Sequence, residues 1–179
     1  MPRINPVSPE HTDAATQATL TAVKGKLGMV PNMFATFARA PATLNGYLAL
    51  SEALGAGNLT AAQREIVALA TGQANTCHYC LSAHTLIGKG AGLSEEAILD
   101  ARSGRGTDPK NHGIAALAGK IVTQLGVISD DDLAAARNAG LDDGLVLEVV
   151  ANVALNILTN YTNHIAQTEI DFPVVPLDL

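Results

Sequence analysis

Residues that start and stop helices recur at short intervals along this chain, and no run between them alternates apolar with polar side chains as a half-buried strand must. That pattern confines the fold to the all-α class. It predicts a bundle of about eight or nine helices in one domain over residues 1–179. Residues 1–9, with three prolines, read as an extended N-terminal arm, and residues 171–179 as a proline-broken tail.

The first helix is expected from about Glu10 to Lys26, stopped by Gly25 and Gly28. Val30-Pro31-Asn32-Met33 opens a short helix through Arg39. Pro41 sits in the first turn of the next, where its missing N–H costs nothing. Thr60 is a suitable N-cap for a helix holding Glu65, Ile66, Val67, Leu69 and Ala70, weakened at Gly72. Asn75 or Thr76 can cap its successor, which puts Cys77 in the first turn and runs to about Lys89. Ser94, Asp108 and Ser129 each precede a further helix, and the longest starts at Asp142 or Asp143 and is expected to reach about Ile170.

Composition narrows the class of function. Of the 179 residues 47% are hydrophobic and only 16% charged, too apolar for a disordered chain. No uninterrupted apolar run approaches the ~20 residues of a spanning helix, so no membrane partner is expected. The opening Met1-Pro2-Arg3-Ile4-Asn5-Pro6 has no signal-peptide core, which predicts a cytoplasmic location. The net charge is −6, with neither a basic cluster nor an aromatic ladder, so nucleic-acid binding is not expected. With so few charges to cover its helices, the chain is expected to bury further apolar surface in a homo-oligomer. It has no Gly-x-Gly-x-x-Gly after a strand and no Walker loop, and no cofactor is expected.

The chemistry concentrates in Thr76-Cys77-His78-Tyr79-Cys80-Leu81-Ser82-Ala83-His84, which holds both cysteines. At about 100° per residue, Cys77, Cys80 and His84 share a helix arc of roughly 60°. In a reducing compartment such a pair is more often catalytic or metal-binding than a structural disulfide. A thiol is a weak nucleophile until it ionises. The helix start favours a thiolate at Cys77, whereas His84, four residues on, favours one at Cys80, so spacing leaves open which attacks. Glu65 has Ala61, Ala62, Ala68 and Leu69 for neighbours, which predicts either a raised pKa or a partner. His84 is that partner if the two helices form a hairpin; a basic group such as Arg64 from another copy is the alternative. Zinc held by Cys77, Cys80, His84 and Glu65, or two inert core thiols, are the rival readings. His78 points elsewhere, Tyr79 reads as a packed aromatic with its hydroxyl satisfied, and His11 and His112 read as surface residues.

A second pattern lies on the longest helix, where Glu148, Asn152, Asn156, Asn160 and His164 recur every fourth residue among apolar neighbours. Buried amides must find partners. The seam either sets helix register or a contact between copies, or it lines a cavity before Cys80 with His164 touching substrate or reductant.

Glu65-x11-Cys77-x2-Cys80-x3-His84, with Leu59-Thr60, Arg64-Glu65 and Cys77-His78-Tyr79-Cys80, resembles the signature of the alkyl hydroperoxidase D-like branch of the carboxymuconolactone decarboxylase family. Val30-Pro31-Asn32-Met33, Asn163-His164 and Glu169-Ile170-Asp171-Phe172-Pro173 resemble its peroxidase-related members. The resemblance implies an all-helical, homo-oligomeric thiol peroxidase. By it Cys80 attacks a hydroperoxide and Cys77 resolves the sulfenic acid to a disulfide. Glu65 and His84 shuttle protons, and an external dithiol, dihydrolipoamide- or thioredoxin-like, restores the pair. One departure is visible: alkyl hydroperoxidase D has histidine directly before the second cysteine, where this chain has Tyr79. A carboxymuconolactone decarboxylase-type enzyme, which does not need both thiols, and a redox-sensing oligomer without turnover are the alternatives.

Overall fold

The computed structural model describes residues 1–179, the side chain of Pro9 excepted. Among the described residues the fold is all-α, with nine α-helices and no strand. They are α1 (Ala14–Leu27), α2 (Asn32–Phe37), α3 (Pro41–Gly55), α4 (Ala61–Ala74), α5 (His78–Gly90), α6 (Glu95–Arg102), α7 (Pro109–Thr123), α8 (Asp130–Asn138) and α9 (Asp143–Ala166).

Most starts follow from side chains that satisfy the free N–H groups of a first turn. Thr60 and Gln63 form a reciprocal capping box on α4, as Ser129 and Asp132 do on α8. Ser94, Asp108 and Asp142 cap α6, α7 and α9. The first helix begins later than expected, at Ala14, because Asp13 accepts from the N–H groups of Ala15 and Thr16. Gly72 does not interrupt α4. The longest helix stops at Ala166, four positions short of expectation: Gln167 turns left-handed (φ 49°) and its N–H closes on the Asn163 carbonyl. The residues so released serve α2 instead, with Asn32 N–H donating to Asp171 at 2.7 Å and the Asn32 amide to the Glu169 carbonyl at 3.0 Å.

The centre of the bundle is α4, which packs on α5, α6, α7 and α9. Every residue from 66 to 72 on it is buried. Val67, Leu69, Leu81, Ile114, Leu141 and Val149, all nearly inaccessible, form one continuous core with it. Each such side chain removed from water contributes roughly 1.5–3 kcal/mol. A second, smaller core joins Leu20, Phe34, Phe37 and Leu44 of α1–α3 to Cys77, Tyr79 and Cys80. The thiols therefore lie where the two cores meet, on the side of α5 turned towards α1–α3.

By length and composition α9 is apolar enough to cross a membrane, a property hidden by the asparagines that interrupt its apolar runs. Here it packs against α2, α3, α4, α5 and α7, with 44% of its apolar window buried.

Glu148 ties α9 to the chain entering α4. Its carboxylate accepts from the Asn58 N–H and side-chain amide and from the Leu59 N–H, all within 2.8–2.9 Å. The Asn58 N–H, then that of Leu59, holds this carboxyl below its usual range. A depressed carboxyl contributes stability above its unfolded value and loses it as pH falls through the folded one. Glu148→Gln should therefore flatten the acid limb of a urea-midpoint-against-pH curve, by less than about 1 kcal/mol because the group is partly solvated.

Candidate active site

The turn between α4 and α5 places the thiols. Asn75 ends α4, Thr76 takes a left-handed conformation (φ 53°), and the Cys77 N–H closes on the Gly72 carbonyl at 2.8 Å. Cys77 is thus neither capped by Asn75 or Thr76 nor inside the first turn. It is itself the N-cap of α5, with extended backbone (φ −85°, ψ 93°). An N-cap side chain reaches over the first turn towards the third helical residue, the geometry of a capping box. In α5 that residue is Cys80. The spacing Cys-x-x-Cys at a helix start accordingly brings the two Sγ atoms to 2.6 Å, both thiols free. They are 0% and 3% exposed.

The two sulfurs are not equivalent. The hydrogen bond from Cys77 pulls the Cys80 thiol down to about 7 against the opposing effect of burial, with His84 and then Asn163 helping. The same bond and burial push Cys77 up. Cys80 also stands in the first turn of α5, where the helix end favours negative charge. These effects favour a thiolate at Cys80 over one at Cys77. At pH 7 iodoacetamide should modify Cys80 in preference to Cys77, and fragment-ion mass spectrometry of the peptide 65–89 reads the position. Equal labelling contradicts the assignment.

The hairpin of α4 and α5 pairs Glu65 with His84, Oε2 to Nδ1 at 2.7 Å. Burial opposes charge on the imidazole, but the Glu65 carboxylate outweighs it and raises His84 above its ordinary value. Arg64 from another copy is not needed as partner, since Glu65 is already paired and Arg64 donates to the Leu59 carbonyl at 2.6 Å. His78 turns away, its Nε2 2.6 Å from the Val175 carbonyl. Tyr79 is packed, accepting from the Met33 N–H at 3.3 Å and meeting Phe172 edge-on. His11 and His112 are exposed. Among the described residues no group of three or more His, Cys, Asp or Glu side chains is arranged to hold a metal ion.

Cys80, His84 and Glu65 open onto a cavity of about 720 Å³. Val23, Phe34, Tyr47, Leu155 and Phe172 make much of its wall apolar, and burial pushes the Tyr47 hydroxyl up to about 12, so it stays a phenol. Asn152, Asn156 and Thr159 add a polar strip from α9.

The asparagine seam divides its work. Asn152 and Asn156 face the cavity while bonding carbonyls one turn back on α9, at 2.8 Å each. Asn160 accepts from the Asn75 amide at 2.9 Å, fixing α9 against the α4–α5 turn. His164, which one of the two readings of the seam put against substrate or reductant, is exposed. The physical reason is rotation: a strict i+4 row drifts about 40° per step, so its fifth member has turned roughly 160° away. The row that keeps its heading is Asn152, Asn156, Thr159 and Asn163, within about 60°. Its last member makes a contact to the thiols that the sequence did not reveal: Asn163 Nδ2 donates to Cys80 Sγ at 3.4 Å. Reading the helix at i+4 and i+7 together puts Asn163 on the face of Asn152 and Asn156, but not against Cys80, which depends on how α9 crosses α5.

Comparison with known proteins agrees with this architecture. Residues 41–119, which carry Glu65, both cysteines and His84, match the carboxymuconolactone decarboxylase family. No curated protein sequence matches the chain. Among solved structures, an alkylhydroperoxidase AhpD core protein from Ralstonia eutropha JMP134, described as an uncharacterized peroxidase-related protein, superposes with a TM-score of 0.85 at 23% identity, over 95% of this chain and 92% of its own. A peroxidase-related protein from Silicibacter sp. TM1040 follows at 0.80 and 21%, over 93% and 92%. The debrominase Bmp8, as a cysteine-to-alanine variant in complex with 2,3,4-tribromopyrrole, reaches 0.80 at 15%, over 94% and 91%. Over residues 41–119 the chain is thus similar to the carboxymuconolactone decarboxylase family, and its helical fold is the one seen in the alkylhydroperoxidase AhpD core protein and the second peroxidase-related structure.

Proposed function

We propose that the protein is a thiol peroxidase that reduces hydroperoxides through a Cys77/Cys80 dithiol–disulfide cycle, working as a cytoplasmic homo-oligomer. The observation that carries the reading is the pair of adjacent free sulfurs beside the Glu65–His84 hydrogen bond at the cavity wall. The Cys80 thiolate attacks the terminal oxygen of the hydroperoxide: an S–O bond forms, the O–O bond breaks, and the alkoxide takes a proton from the His84 imidazolium. Cys77, losing its proton, attacks the resulting sulfenic sulfur, so that an S–S bond forms and the oxygen leaves as water. An external dithiol returns two electrons and two protons and leaves as its own disulfide. Glu65 keeps His84 oriented and charged between steps.

The test is hydroperoxide consumption driven by dihydrolipoamide or reduced thioredoxin, followed by loss of peroxide. Turnover supports the cycle, and its absence with every dithiol overturns it. 2,3,4-Tribromopyrrole belongs in the same assay because of the debrominase likeness. Debromination without peroxide turnover would replace the peroxide reading.

A further inference from the structure

We infer that Asn163 is a further catalytic residue of this site, whose side-chain amide holds the Cys80 sulfur as a thiolate and then receives the hydroxyl that oxidation places on that sulfur. This rests on the reading of Cys80 as nucleophile.

Three observations carry it. Asn163 Nδ2 donates to Cys80 Sγ at 3.4 Å from a residue only 5% exposed. Its Oδ1 is buried without a hydrogen-bond partner. Asn152, Asn156 and Thr159 turn their donors back onto carbonyls of α9, whereas Asn163 reaches across to α5.

An N–H aimed at a sulfur favours the ionised form, since a charge-assisted hydrogen bond is stronger than a neutral one. A buried amide oxygen is nearly always paired. Here it is free in the reduced protein, one amide width from the sulfur. Oxidation supplies what it lacks. When the hydroperoxide O–O bond breaks and Cys80 gains an oxygen, the new S–O–H can donate to Asn163 Oδ1. The amide then holds the sulfenic acid for attack by Cys77, and the bond is released as water leaves. The ionisable groups that face Cys80 are Cys77, Tyr79 and His84 on α5, Tyr47 on α3, and Glu65 behind His84 on α4.

The test uses the full chain carrying Cys77→Ser, so that a single thiol reports. The alkylation midpoint of Cys80 against pH should rise by about one unit in Asn163→Leu. It should rise further in Asn163→Asp, where a carboxylate replaces the donor. His164→Ala, an exposed neighbour, should leave it in place. Under excess hydrogen peroxide, Asn163→Leu should carry Cys80 to the sulfinic acid severalfold faster, read by mass. An unshifted midpoint overturns the donor role, and an unchanged overoxidation rate overturns the acceptor role. Should both variants fail to fold, the unmutated protein decides: the Asn163 side-chain amide resonance must titrate with the Cys80 midpoint, and a flat signal sinks the proposal. None of the alkylation readouts needs peroxide. A protein that shows the midpoint shift yet is not oxidised by any hydroperoxide would retain Asn163 as thiolate partner and lose the peroxidase reading instead.

Discussion

Cys80→Ser is expected to reduce dithiol-driven peroxide consumption to the uncatalysed background, a loss on the order of 10³-fold or more. A serine hydroxyl does not ionise near neutral pH, so neither the hydrogen bond from Cys77 nor the nearby His84 can turn it into a nucleophile. The companion change discriminates between roles. Cys77→Ser should also stop turnover but leave the first step intact, so one equivalent of peroxide should convert Cys80 to a sulfenic acid that dimedone traps. In Cys80→Ser no adduct should form. Trapping at Cys77 in the Cys80→Ser protein would reverse the assignment of attacking and resolving sulfur. Turnover surviving either change would end the disulfide cycle as an explanation.

Leu81→Ala is expected to cost about 3 kcal/mol of stability, within the 2–5 kcal/mol usual for a fully buried leucine. Leu81 is 0% exposed and faces Gly72, with its Cδ2 3.4 Å from where a Gly72 Cβ would lie. It therefore presses α5 onto α4 just beside the sulfurs. For a chain of this length the loss corresponds to a fall in Tm of about 6–12 °C. It should also loosen the hairpin that holds Glu65 against His84, whose pairing spans only the two helices Leu81 joins. Thermal unfolding followed by circular dichroism measures the first effect. A Tm within about 2 °C of wild type would mean that the α4–α5 contact collapses onto the gap or contributes little.

Local signals in the sequence were strong wherever a single turn decided the outcome. Thr60, Ser94, Asp108, Ser129 and Asp142 each cap the helix they precede, because an N-cap needs only its own side chain and the next three N–H groups. Cys77 misled for the same local reason: asparagine and threonine cap better on average, but the tertiary turn through Thr76 moved the cap one step on. The end of α9 was not readable at all, since residues 167–171 leave the helix to bond Asn32, more than a hundred positions away.

The spacing of Glu65, Cys77, Cys80 and His84 by itself determined that two thiols, an imidazole and a carboxylate could meet once α4 and α5 form a hairpin, because helix geometry carries the separation of Cys80 from His84 and an N-cap that of Cys77 from Cys80. What the tertiary structure alone decided was the environment of that group. The passage of α9 behind α5 set Asn163 rather than His164 against the sulfur, and the packing of α1–α3 closed a largely apolar cavity around it. Contacts between segments 83 residues apart depend on the rotation and crossing of whole helices. No periodicity in one segment encodes that angle.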